Sequence, residues 1–280
     1  MRTQQMAGAL VAAACATHAS AQSAVERGEY LVRGPMACGN CHTPQGPDGP
    51  DTARELAGFT VVDDATMTAI APNITPGGRV ADWTDEELAR AIRDGIRPDG
   101  SVIGPPMPFA LYRGIGDEDL AAVVAFLRTV TAVGNDPGTS SYSFPLPPAY
   151  GPPVESVTAP ERTASVAYGA YLAGPIAHCM ECHTPFGPQG PLLDTALGQG
   201  GFEFAGPWGV SVAPNITSGP DGLVGYSDEA LGEMIIHGVR PDGTRMLPPM
   251  PYGYFANMTP GDLDALILYL RTLPPLPDAR

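Results

Sequence analysis

The feature that most constrains this chain is that it is written twice. Cys38-Gly39-Asn40-Cys41-His42 returns as Cys179-Met180-Glu181-Cys182-His183, 141 positions later. Ala71-Pro72-Asn73-Ile74-Thr75 returns unchanged at Ala213–Thr217, and Arg97-Pro98-Asp99-Gly100 at Arg240–Gly243. Pro105-Pro106-Met107-Pro108 returns at Pro248–Pro251, and Phe126-Leu127-Arg128-Thr129 is echoed by Tyr269-Leu270-Arg271-Thr272. The order is kept and the offset drifts only from 141 to 143, so one folding unit has been duplicated. This predicts a first domain over 22–133 and a second over 164–280. Residues 134–163 join them, with seven prolines and no sustained hydrophobic period. Such a segment is a stiff, partly extended linker, and at that length it is expected to pack over one or both units.

The N-terminus reads separately. Arg2 precedes an apolar, Ala-rich stretch, and Ala19-Ser20-Ala21 fits a small-x-small cleavage site, so residues 1–21 are expected to be an export signal. Cys15 stands in a poor context for lipid attachment, because Ala12 occupies a position where such sites prefer a larger aliphatic residue. No later stretch has the ~18 uninterrupted apolar residues of a membrane-spanning helix.

Each unit is expected to be mostly helical. Ser23 and Glu26 make a capping box ahead of Val25–Val32. Thr84 and Glu87 open a second helix that carries Leu88, Ala91 and Ile92 on one face and stops at Gly95. A third begins near Asp117, with Leu120, Val123, Val124 and Leu127 at i, i+3, i+4, i+7. The second copies begin at Ser227 and at Thr259-Pro260. Three short helices are a thin core for a unit of roughly 110 residues, so a large apolar ligand at the centre would help to explain the fold.

The chemistry lies in the two Cys-x-x-Cys-His runs. Such a run is the attachment signature of c-type haem: two thiols a turn apart each form a thioether with a vinyl group, and the next His lies under the iron. Zinc wants four ligands, and each half offers three. A thioredoxin-like pair needs a βαβ context that is absent. Disulfides would consume all four of the cysteines that the motifs use. The expectation is therefore two covalent haem c groups, on Cys38 and Cys41 and on Cys179 and Cys182, with His42 and His183 as axial ligands. Met107 and Met250 sit in the duplicated Pro-Pro-Met-Pro loop, and this shared context marks them as the sixth ligands rather than core filler. Met246 and His237 are excluded because their register partners are Ile103 and Asp94. His178 matches Ala37 and is read as a neighbour of the site.

On these motifs the chain resembles the class I cytochrome c family over both units. The string Tyr-Leu…Cys-x-x-Cys-His-Thr-Pro, Pro-Asn-Ile-Thr, Trp/Tyr-Ser/Thr-Asp-Glu and Pro-Pro-Met-Pro is similar to the cytochrome c subunits of periplasmic alcohol, aldehyde and gluconate dehydrogenases. That resemblance implies two tandem cytochrome c-like domains, each a few short helices wrapped around a covalent haem. It implies a close crossing of first and last helices, with Gly28 and Gly169 facing Phe126 and Tyr269. It also implies haem-edge or propionate contacts from Asn73 and Asn215 and from Arg97 and Arg240, although the Arg-Pro-Asp-Gly setting is equally that of a plain turn.

The expected function is that of a periplasmic electron carrier, not an enzyme, taking electrons from a dehydrogenase and passing them toward another cytochrome or a terminal oxidase. The competing reading is a dihaem enzyme of peroxidase or thiosulfate dehydrogenase type, which needs an open or exchangeable iron site; the matching Met loops oppose it. All 15 basic residues are Arg. Without Arg2 the balance is 14 basic against 30 acidic residues, a net charge of −16, which excludes nucleic acid as a natural partner and suits a basic docking surface.

Overall fold

The computed structural model describes residues 22–46, 49–188 and 190–279. The expected export signal and Cys15 lie outside the described residues.

Helix α1 (Ala24–Arg33) starts on the Ser23–Glu26 capping box. The first Cys pair and His42 form the short α2 (Cys38–His42). Two minimal strands follow, β1 (Gln45–Gly46) and β2 (Gly49–Pro50), then a hairpin of β3 (Phe59–Asp63) and β4 (Met67–Ala71). Helix α3 (Asp85–Asp94) has its own capping box, Thr84 with Glu87, and ends on Gly95 at φ 69°. A single turn, α4 (Phe109–Tyr112), follows the Met107 loop, and α5 (Asp117–Leu127) closes the half. The linker contributes β5 (Ser141–Tyr142).

The order then recurs. Helix α6 (Val166–Tyr171) runs into a π-helical turn (Leu172–Ile176), and α7 (Cys179–Cys182) carries the second Cys pair. Next come β6 (Phe186–Gly187), β7 (Gly190–Pro191), and the hairpin of β8 (Glu203–Gly206) and β9 (Gly209–Val212). Last are α8 (Asp228–His237), α9 (Tyr252–Phe255) and α10 (Pro260–Leu270). Helices α1, α3, α5, α8 and α10 lie where capping residues and apolar periods place them, whereas the short α2, α4, α7 and α9 have no side-chain cap. The hairpins β3–β4 and β8–β9 were not foreseen: their apolar residues lie in short segments rich in Thr, Val and Gly, which read as loop.

The first and last helices of each half cross at a glycine. A Cβ on Gly28 would sit 1.9 Å from the Ala122 carbonyl oxygen and 2.7 Å from Phe126 Cβ. On Gly169 it would sit 1.9 Å from the Ala265 oxygen and 2.7 Å from Tyr269 Cβ. Only a residue without a side chain permits that approach. The repeated Leu-Arg-Thr is a clamp. Arg128 donates to the Val80 and Trp83 carbonyls and to Asp85, and Arg271 to the Leu223 and Tyr226 carbonyls and to Asp228. Each arginine ties the end of the last helix to the start of the middle one.

The halves are joined by a reciprocal exchange. Tyr30 on α1 donates to Asp262 on α10 at 2.5 Å and accepts from the Thr259 N–H. Tyr171 on α6 donates to Asp119 on α5 at 2.9 Å and accepts from the Gly116 N–H at 3.0 Å. Thr259 and Gly116 are the N-caps of α10 and α5, so each tyrosine hydroxyl satisfies an orphan donor at the start of the other half's last helix. Asp119 is also held by the buried Arg27, through Nε at 2.8 Å and a second nitrogen at 3.0 Å. The linker lies over the first half: β5 extends the hairpin to three strands, in the order β3-β4-β5, whereas β8–β9 remains two-stranded among the described residues.

Two outcomes test this packing. Gly28→Ala and Gly169→Ala should each cost roughly 1–3 kcal/mol in denaturant unfolding of the purified protein, since the helices must separate to admit a methyl group. Gly261→Ala, with nothing within 4 Å of the added atom, should be neutral or mildly stabilising. Asp119→Asn should cost about 3–5 kcal/mol, because it leaves the Arg27 guanidinium buried beside a neutral amide. Burial alone would raise the Asp119 carboxyl; the Arg27 guanidinium outweighs it, and the pKa falls below its ordinary value. Its contribution is therefore complete above the unfolded-state value of ~3.9 and disappears as pH falls through the lower folded value. That part of the acid-unfolding profile should be missing in the variant.

Candidate functional site

Each Cys-x-x-Cys-His run is entered through a non-glycine residue in left-handed conformation, Ala37 at φ 47° and His178 at φ 40°. This turn starts the short helix directly on the first cysteine. None of Cys38, Cys41, Cys179 and Cys182 is paired in a disulfide among the described residues. Burial pushes the Cys38 thiol up to about 12, Cys41 up to about 11 and Cys179 up to about 12, and raises Cys182 further. A redox-active pair needs a lowered thiol pKa, so these cysteines are unsuited to thiol–disulfide exchange.

The imidazoles are fixed by the neighbouring repeat. His42 Nδ1 lies 2.9 Å from the Pro72 carbonyl oxygen, and His183 Nδ1 lies 2.8 Å from that of Pro214. A carbonyl only accepts, so Nδ1 carries the hydrogen and Nε2 keeps its lone pair. Burial lowers both imidazole pKa values, which keeps the rings neutral. A neutral ring anchored through one nitrogen and open at the other is the arrangement of a metal-ligating histidine. The thioether ligands expected on the far side share the apolar surroundings of the thiols. Met107 and Cys38 pack against one buried cluster with Ile74 and Trp83, and Met250 and Cys179 against the other with Leu197 and Tyr226. In both halves the half-buried thiols, the anchored imidazole and the apolar thioether suit covalent haem.

The polar residues of the repeat have these partners within the protein. Asn73 and Asn215 spend their side chains on the protein. Each Oδ1 accepts from the N–H and hydroxyl of the threonine two residues on, and each Nδ2 donates to a following segment, Val133 and Asn135 or Leu276. They are buried struts that tie the chain after the last helix to the Pro-Asn-Ile-Thr loop. Arg97 donates to the Val102 carbonyl at 2.7 Å, and Arg240 reaches the Thr244 hydroxyl. Asp99 and Asp242 cap the same turns through the Ser101 and Thr244 N–H groups, so Arg-Pro-Asp-Gly builds a turn.

His178 packs edge-on to Tyr112, ring centres 5.8 Å apart, and lies 3.4 Å from Glu181. It belongs to the contact between halves. On the other side of that contact, a Cβ on Gly39 would sit 2.3 Å from the Tyr254 hydroxyl. Each attachment helix thus abuts the turn that follows the other half's methionine loop. Sequence reasoning missed the carbonyls of Pro72 and Pro214, although the verbatim repeat of Ala-Pro-Asn-Ile-Thr was the signal. It also missed Thr43 and Thr184, fully buried after each histidine, whose hydroxyls accept from the Leu56 and Gly198 N–H groups.

Residues 23–127 match the family model for cytochrome c oxidase, cbb3-type, subunit III. The chain is similar to the fructose dehydrogenase cytochrome subunit of Gluconobacter japonicus, 30% identical over 92% of this chain and 54% of that protein. It is similar to the cytochrome c subunit of a quinone-type alcohol dehydrogenase from Gluconobacter oxydans, 29% identical over 92% of this chain and 56% of that protein. The chain spans about half the length of these relatives. A diheme cytochrome c-type protein of Cereibacter sphaeroides is 30% identical over 73% of this chain and 70% of its own length. With the duplicated attachment helices and carbonyl-anchored histidines, these matches show that the chain belongs to the cytochrome c family, whose members hold haem c covalently.

Proposed function

We propose that this chain is a periplasmic two-haem electron carrier built from tandem cytochrome c domains, 22–133 and 164–280, joined by the Pro-rich segment 134–163. Cys38 and Cys41 attach one haem, and Cys179 and Cys182 the other. His42 with Met107, and His183 with Met250, are the axial pairs. The observation that carries this reading is the duplicated histidine: in both halves a carbonyl takes Nδ1 and leaves Nε2 for a metal beside a half-buried pair of thiols. Haem, once bound, supplies one-electron chemistry at iron. The chain's residues bury that iron, fix the ring that ligates it and present a docking surface.

The donor in this reading is a dehydrogenase and the acceptor another cytochrome or a terminal oxidase. The relatives named as dehydrogenase cytochrome subunits support that order, and no helix among the described residues is long and apolar enough to cross a membrane. Two matching thioether loops favour a carrier over an enzyme, which needs an iron open to substrate.

Mass measurement of the denatured protein should show two added haems; one or none would refute the reading. Met107→Ala and Met250→Ala should each abolish the near-infrared band of Met–Fe(III) ligation at one haem and leave the other intact. Each should lower one potential by roughly 0.1 V or more, within the ~0.8 V span that axial ligands command. Loss of both bands in either single variant, or of neither, would overturn the ligand assignment.

A further inference from the structure

The Pro-Pro-Met-Pro loop of the first half has little means of holding itself. Pro105, Pro106 and Pro108 have no N–H to donate, which leaves Gly104 and Met107 as the only backbone donors from 104 to 108. Two carbonyls at the entry to the loop are held instead by the segment 134–163, which lies over this half as a strap. Strand β5 pairs antiparallel with β4, Thr68 opposite Ser141 and Met67 opposite Tyr142. The Ser140 hydroxyl accepts from the Ile70 N–H at 2.9 Å, and the Ser143 hydroxyl donates to the Thr66 carbonyl at 2.9 Å. With its backbone fixed there, the strap reaches the loop through two tyrosines. Tyr142 donates to the Pro105 carbonyl at 2.9 Å, and Tyr150 to the Ile103 carbonyl at 2.8 Å.

The rings are seated as closely as the hydroxyls. A Cβ on Gly104 would lie 2.4 Å from Cζ of Tyr142. The Gly104 backbone is not left-handed, and the second copy of the loop has Leu247 at this place, so the glycine serves the ring rather than the turn. The Tyr150 ring lies against Gly95, where a Cβ would come within 3.0 Å of it, and against Phe109, with ring centres 4.7 Å apart. Burial raises the Tyr150 hydroxyl to about 12, so it stays protonated and able to donate at neutral pH. Beyond Tyr150 the strap is pinned again. Arg113, at the end of α4, donates to the Pro152 carbonyl and pairs with Asp94 at 2.8 Å. The tyrosine hydroxyls thus grip the residues before Met107, while Phe109 and Arg113 tie the strap to the turn after it.

We infer that Tyr142 and Tyr150 are positioning residues for Met107: the strap holds this thioether on the first iron by fixing the loop on either side of it. The inference rests on the assignment of Met107 as the sixth ligand. The segment between the repeats is then a working part of the first site and not only a connector. A loop gripped by a segment that is itself paired into a sheet opens less often. The two hydroxyls therefore set how often another ligand can take the place of the thioether.

Imidazole tests this on the intact, haem-loaded ferric protein. At saturating imidazole a ring nitrogen takes the position that the thioether vacates, the iron stays ferric, and the rate is that of loop opening. The first-haem phase is the one whose slow, thioether-limited kinetics Met107→Ala abolishes; the second-haem phase is identified in the same way by Met250→Ala. Tyr142→Phe and Tyr150→Phe remove the hydroxyls and keep the rings. Each should speed the first-haem phase about fivefold, and the double variant roughly twentyfold, as the loss of one and of two ordinary hydrogen bonds would. The second-haem phase should not change. Ser143→Ala loosens the strap away from the loop and should leave both phases as in the parent. Each single variant decides the question by itself if the double variant loses haem. The inference is overturned if the tyrosine variants exchange at the parent rate, if both phases accelerate alike, or if Ser143→Ala speeds the first phase as much. The near-infrared Met–Fe(III) band is read on the same samples. If Met107→Ala retains both bands, the ligand assignment fails and the inference with it; if the bands behave as assigned and the rates do not, the inference alone fails.

Discussion

The approach of a first-helix glycine to a last-helix carbonyl is the constraint on which the rest of the structure depends. With so few helices in each half, the elements that bear ligands hang on one crossing. Helix α1 leads directly into the first attachment turn, and α5 carries the Arg128 clamp that orients the start of α3. If the crossing widened by a methyl group, the attachment turn and the middle helix would separate. The glycine's entropic disadvantage is accepted because no other residue lets the two backbones meet.

The second joint is electrostatic. Tyr30 and Tyr171 occupy equivalent places on the two first helices, and each reaches into the other half to an equivalent aspartate and N-cap. A contact of this kind is self-complementary in the manner of a two-fold dimer interface, here within one chain. Its consequence is positional. The reciprocal anchors hold Tyr112 against His178 and Tyr254 over Gly39, so each attachment helix is packed against the other half rather than against water. The two Cys-x-x-Cys-His helices are thereby held at a fixed relation.

Much of this was legible in the sequence because it was written twice. Capping boxes, glycine stops and the i, i+3, i+4, i+7 stripes are local signals, and the helices at 24–33, 85–94, 117–127, 228–237 and 260–270 follow them. What escaped was non-local. The strands near 60–70 and 203–212 are defined by pairing rather than by period. Asn73 and Asn215 were recognised as special, but their role depends on where the chain passes some sixty residues later, which a motif does not reveal. The Tyr–Asp exchange joins residues more than fifty or two hundred positions apart, and no spacing rule marks it.

The linker shows why a duplicated chain need not give two equivalent sites. The copies agree in anchors, caps and clamps, because these lie inside the repeat. The strap lies outside it, and among the described residues it is seen on the first copy. Through Tyr142 and Tyr150 the first methionine loop has two hydrogen bonds from a segment that is itself paired into a sheet, and the second has none of them among the described residues. A loop held at both ends by buried partners opens less readily than one facing solvent. Reading the repeat alone would make the halves interchangeable; the strap, paired into the β3-β4-β5 sheet and hydrogen-bonded to the segment before Met107, sets the first half apart.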